Sequence, residues 1–143
     1  MQKIYLAMVE GRMKEPEGQI DAPIARHPHD RLRMTVMPGG RDARTHYKVR
    51  EELGDYSLLE VTLETGRTHQ IRVHMQHRNR PILGDPLYGA RRGRATFGLD
   101  RQFLHAYQIG FNHPADDAWR NFEAPLPDDL HQVLERLRKN VRA

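Results

Sequence analysis

Six consecutive apolar residues, Ile4-Tyr5-Leu6-Ala7-Met8-Val9, stand near the head of this chain. A β-strand sends alternate side chains to opposite faces, so Ile4, Leu6 and Met8 share one face and Tyr5, Ala7 and Val9 the other. A strand apolar on both faces is stable only inside a covered sheet. Lys3 to Glu10 is therefore expected to be a central strand, ended by Gly11, with a neighbour on each side. No residue before it can supply one. The abrupt start is read as a cut through a larger domain, leaving the first strand with exposed apolar edges.

The rest of the chain alternates between strand and turn signals. Glu15-Pro16-Glu17-Gly18 predicts a turn, Gln19 to Ile24 a short extended piece, and Ala25 to Arg44, rich in Pro, Gly and Arg, a linker. Thr45, Tyr47 and Val49, then Leu59, Val61 and Leu63, alternate with polar residues, which predicts two half-exposed strands closed as an antiparallel hairpin through Glu51 to Ser57. From about Thr68 to His77 a helix is favoured over a strand, with Thr68 as its cap and Ile71 and Met75 one turn apart. Phe103 to Phe111 and Ala118 to Ala124 predict a second hairpin. A last helix opens at Asp128 or Asp129 and carries the apolar stripe Leu130, Val133, Leu134, Leu137 and Val141, with basic residues in its final turns. The expected fold is an α+β domain, with a mixed, largely antiparallel sheet and flanking helices. At 143 residues and 38% hydrophobic content, the chain suits one core.

Charge is concentrated rather than spread. Arg67, Arg72, Arg78, Arg80, Arg91, Arg92 and Arg94 stand against the single Asp85, a local charge of +6 in a chain whose net charge is +4, so the remainder sums to −2. Such a field suits a polyanion, because each neutralised phosphate releases counterions and guanidinium groups present forked donors. The absence of cysteine removes disulfides and thiolate metal sites, and no apolar run is long enough to cross a bilayer. A cytoplasmic location is expected.

The segment Leu63-Glu-Thr-Gly-Arg-Thr-His-Gln-Ile-Arg-Val-His-Met75, followed by Pro81-Ile-Leu-Gly-Asp-Pro-Leu-Tyr-Gly89, resembles the RluA-type ribosomal large-subunit pseudouridine synthases. Arg26-His27-Pro28, Arg33-Met34 and Thr45-His46-Tyr47 follow in the order of the D-like subgroup. The resemblance runs from Lys3 to the final helix. It implies the C-terminal portion of one catalytic domain, residues 1–143, that isomerises uridine in structured large-subunit ribosomal RNA without cofactor or metal, as a monomer when complete. The family attacks with an aspartate in a His-Arg-Leu-Asp motif, and no such motif occurs between Met1 and Ala143. The chain alone is expected to have little or no activity, and a non-catalytic RNA-binding module or vestigial reading frame is the alternative.

By resemblance, Tyr5 matches the tyrosine that stacks on the flipped base, and Arg72 the basic residue that pairs with the nucleophile; lacking that partner, Arg72 is expected to be unpaired or solvated. Arg67 is available to a phosphate, Thr68, His69 and Gln70 shape the helix entry, Leu83 walls the uracil pocket, and Arg78, Arg80, Arg91 and Arg92 face RNA. Asp85 is expected to satisfy backbone donors. Asp30, in the scrambled His29-Asp30-Arg31-Leu32, belongs to the linker. His69, His74 and His77 do not share the spacing of a metal site.

Overall fold

The computed structural model describes residues 2–89 and 95–142. Strands β1 (Gln2–Glu10), β2 (Glu17–Asp21), β3 (Ile24–Arg26), β4 (Met34–Val36), β5 (Arg44–Leu53) and β6 (Tyr56–Leu63) precede helix α1 (Gln70–His77). Strands β7 (Leu104–Asn112) and β8 (Trp119–Glu123) and helix α2 (Asp128–Arg142) complete the chain. A six-stranded sheet runs β2-β5-β6-β1-β7-β8, every pairing antiparallel, and β3 with β4 forms a separate two-stranded arm. The α+β expectation holds.

β1 is central, as its two apolar faces require: Ala7, Met8 and Val9 are fully buried. Its edges, however, are not exposed. β6 pairs along one and β7 along the other, and where β7 ends the Gly/Pro loop takes over: Leu83 N–H donates to Met8 O at 2.8 Å, and Phe103 N–H to Leu83 O at 2.9 Å. Both neighbours come from later in the chain, which a reading outward from Met1 does not anticipate.

Three other expectations shift. The linker contains β3 and β4, with Arg41 and Ile24 exchanging both backbone hydrogen bonds at 2.8 and 2.9 Å. The β5–β6 loop is only Gly54-Asp55, where Gly54 supplies a positive φ of 66°; a bulge between Val49 and Glu51 resets the alternation so that Leu53 is buried. In α2 the stripe Leu130, Val133, Leu134 and Leu137 enters the core, but Val141, which lies beside the Gly54 turn, stays 51% exposed. Each buried member of that stripe contributes roughly 1.5–3 kcal/mol.

Cross-strand partners share a face, so Tyr47, Val61, Tyr5 and Ala106 form one row across the sheet. Thr45 lies on that face too, and its hydroxyl meets His74 of α1. Tyr5 and α1 therefore occupy the same side. Leu6 and Glu60 face the other way, lining a depression with Leu126 at the approach to α2.

Candidate active site

α1 is tied to the sheet by polar groups as well as by Ile71 and Met75. Gln70, 2% exposed, fastens the turn before the helix in four directions. Its Oε1 accepts from Thr65 Oγ1 at 2.8 Å and Arg67 N–H at 2.9 Å, and its Nε2 donates to Arg44 O at 2.9 Å and Thr45 Oγ1 at 3.0 Å. One turn on, His74 is fully buried between Thr45 Oγ1, 2.7 Å from Nδ1, and Ala22 O, 2.9 Å from Nε2. A carbonyl only accepts, so Nε2 carries the proton and the Thr45 hydroxyl donates to Nδ1. Burial lowers the His74 pKa, which keeps this neutral form.

The cap is His69 rather than Thr68. His69 adopts the left-handed conformation, φ 56° and ψ 21°, with no side-chain capping bond, because its ring is committed elsewhere: Nδ1 lies 2.7 Å from the Tyr88 hydroxyl. Burial, and then the Arg72 charge, lower the His69 pKa. Thr68 is exposed at the rim of a cleft.

Arg72 is not unpaired. Its Nε and Nη2 donate to Asp85 Oδ2 and Oδ1, each at 2.8 Å, in a forked pair whose side chains are 12% and 0% exposed. Asp85 also accepts from the backbone N–H of Leu87 at 2.9 Å and Tyr88 at 3.0 Å, the role expected from its Gly-Asp-Pro loop. Burial pushes the Asp85 pKa up, but Arg72 and those two N–H groups together outweigh it, and the net shift is downward. Arg72 Nη1 makes no hydrogen bond among the described residues, so one arm of the guanidinium is uncommitted.

Tyr88 joins this pair to the β3–β4 arm. Its ring lies under the guanidinium carbons of Arg72 at 5.0 Å and Arg33 at 5.4 Å, and its hydroxyl accepts from Met34 N–H at 2.8 Å. Burial raises the Tyr88 pKa and keeps the phenol protonated. Neither Tyr88 nor the Asp85 contact to Arg72 is signalled in the sequence, since no strand or helix period connects positions 72, 85 and 88.

The other candidates separate. Tyr5 is half-buried on the α1 face, its phenol without a hydrogen-bond partner among the described residues, and no hydrogen bond, ion pair or ring contact there joins it to Arg72. Leu83 is fully buried, part of the main core rather than a wall open to a base. Arg67 stands before α1, its Nε on Asp42 O at 2.9 Å, whereas Arg78 and Arg80 follow α1, on Gln19 O at 3.1 Å and Arg12 O at 2.8 Å. A helix of eight residues parts these groups by roughly 12 Å. Arg91, Arg92 and Arg94 lie outside the described residues. Asp30 caps a local turn through Leu32 N–H at 3.0 Å. His77 is exposed, so the three histidines do not converge; among the described residues no group of three or more His, Cys, Asp or Glu side chains is placed to hold a metal ion. No helix among them is long and apolar enough to cross a membrane.

The chain is 60% identical over 137 residues to an uncharacterized RNA pseudouridine synthase of Chloroflexus aurantiacus, covering 96% of this chain and 42% of that protein. It is 47% identical to the ribosomal large subunit pseudouridine synthase D of Xanthomonas campestris pv. campestris, covering 95% of this chain and 44% of the relative. A solved structure, human RNA pseudouridylate synthase domain containing 4, superposes with a TM-score of 0.77 at 25% identity over 96% of this chain and 62% of that one. The chain thus spans less than half the length of these curated relatives. Residues 1–77 match the family described as RNA pseudouridylate synthase, and the chain belongs to that family.

Proposed function

We propose that this chain serves uridine-to-pseudouridine isomerisation in large-subunit ribosomal RNA, in the cytoplasm, as the portion of a catalytic domain that holds the substrate and orients the reacting carboxylate. The observation that carries the reading is Arg72, a guanidinium nearly removed from water, directed by Asp85 and Tyr88, with Nη1 still free. A buried arginine with a spare arm is what an attacking carboxylate needs: the charge keeps it ionised and the fixed fork sets its direction. Tyr5, on the same side of the sheet, is suited to lie against the extruded base and assist loss of the C5 proton. Asp85 cannot be the nucleophile while both its oxygens are bound to Arg72 and to backbone N–H groups.

Two measurements test this. Purified chain with 5-tritiated uridine RNA is expected to release little or no tritium; clear turnover would show that residues 1–143 suffice and would return attention to Asp30 and Asp85. In cells carrying the gene, its deletion is expected to abolish pseudouridine at a site in large-subunit ribosomal RNA. An unchanged pseudouridine map with RNA binding retained would favour the non-catalytic RNA-binding reading.

A further inference from the structure

A cleft of about 530 Å³ opens beside the entry to α1, between β3, the turn at 37–40 and the 66–68 loop. Arg26, Arg41 and Arg67 line it, and among the described residues no acidic side chain does. Elsewhere many arginines are neutralised: Arg44 holds Asp42 and Glu64, Arg101 holds Asp129, Arg120 holds Asp116 and Arg138 holds Glu51. Among the described residues none of the three cleft arginines pairs with a carboxylate. Asp42, the nearest acid in sequence, is turned to Arg44 and offers the cleft side only its carbonyl, which fixes Arg67 Nε at 2.9 Å.

The cleft is also rigid and roomy. The reciprocal backbone bonds between Arg41 and Ile24 lock the base from which Arg41 projects. Gly40 is packed so closely that a Cβ would lie 2.8 Å from the Ile24 carbonyl, whereas a Cβ at Gly39 or Gly66 would meet nothing within 4 Å. Three guanidinium groups held near one another without counter-charge repel, and an anion relieves that repulsion.

We infer that this cleft is a seat for RNA backbone phosphates, with Arg26, Arg41 and Arg67 as the contacting groups. The inference rests on the RNA reading above and deepens it, since none of these contacts depends on the uridine that reacts. The seat lies on the arm that Tyr88 ties to Arg72, so a phosphate held there would place the strand relative to the guanidinium. Phosphate contacts set register and carry no base information.

The test is binding of a fluorescein-labelled RNA stem-loop across a salt series, using the whole chain and the variants Arg26→Gln, Arg41→Gln and Arg67→Gln, with Arg120→Gln on β8 as control. Each cleft variant is expected to flatten the log K against log salt slope by roughly one and to weaken stem-loops of different sequence equally. The control is expected to match the parent. If Arg67→Gln disturbs its loop, Arg41→Gln decides, since that exposed side chain makes no hydrogen bond or ion pair among the described residues and a matched thermal melt confirms folding. An unchanged slope, or losses that depend on base sequence, would overturn the seat while leaving the family function intact. No RNA binding at low salt would overturn both. Free phosphate shares this chemistry, so inorganic phosphate is titrated in parallel at constant ionic strength; saturation tighter than that of the RNA would assign the cleft to a free anion and overturn the RNA assignment.

Discussion

Replacing Asp85 by Asn tests whether the Arg72–Asp85 pair is a buried ion pair. The substitution keeps an oxygen for the Leu87 and Tyr88 N–H groups but leaves a guanidinium that is 12% exposed without its counter-charge. Stranding one partner of a buried pair costs about 3–5 kcal/mol. With a urea m-value of about 1.5–2 kcal/mol/M for a chain of this size, the unfolding midpoint should fall by roughly 2 M, read by far-UV circular dichroism at neutral pH. The double variant Arg72→Met, Asp85→Asn removes both charges and is expected to recover most of that loss, whereas Asp85→Ala also orphans the buried Tyr88 N–H, at about 1–3 kcal/mol, and the half-buried Leu87 N–H, and should be the worst. The pH dependence has a definite sign. The folded-state pKa of Asp85 is depressed, so its contribution is present above the unfolded value of about 3.9 and is lost as pH falls through the folded value. The gap between wild type and Asp85→Asn should therefore close only in acid. An Asp85→Asn midpoint within experimental error of wild type, or a double variant no better than the single, would refute the buried-pair account.

His74 is held neutral by burial, its folded pKa lying below the unfolded value of about 6.5, so stability it contributes is intact above that pH and declines as pH drops toward the folded value. Urea midpoints should fall between pH 8 and pH 5, less so in His74→Gln. Gln70→Ala leaves Arg67 N–H without its acceptor and removes one hydrogen bond each from Arg44 O and the Thr45 and Thr65 hydroxyls; a loss of about 2–4 kcal/mol is expected, with hydrogen exchange at the Arg67 amide accelerated first. Tyr88→Phe keeps the ring under Arg72 and Arg33 but loses the hydroxyl; a cost of about 1–2 kcal/mol and faster exchange at the Met34 amide are expected, and a Met34 amide unaffected by the change would show that the arm is held by other contacts.

Local signals sufficed for most elements. Unbroken apolar character at Ile4 to Val9 dictates a central strand whatever surrounds it, alternation at Thr45 to Val49 and Leu59 to Leu63 dictates a half-buried hairpin, and the stripe from Leu130 to Leu137 dictates an amphipathic helix. The Gly-Asp-Pro loop and its backbone-binding aspartate were likewise legible, because turn chemistry is written within a few residues. Family resemblance added Tyr5 and Arg72 as candidates, but not their surroundings.

What lay beyond the sequence is what joins distant positions. β1 finds its neighbours in β6 and β7; Arg72 finds Asp85 and Tyr88; Gln70 reaches back to Arg44 and Thr45; and Arg26, Arg41 and Arg67, from three separate segments, come to rim one cleft. Periodicity encodes which face of an element is apolar, because that depends on neighbours within a turn or two. Which charges meet depends on how elements cross, and only the packed sheet with α1 against it settles that.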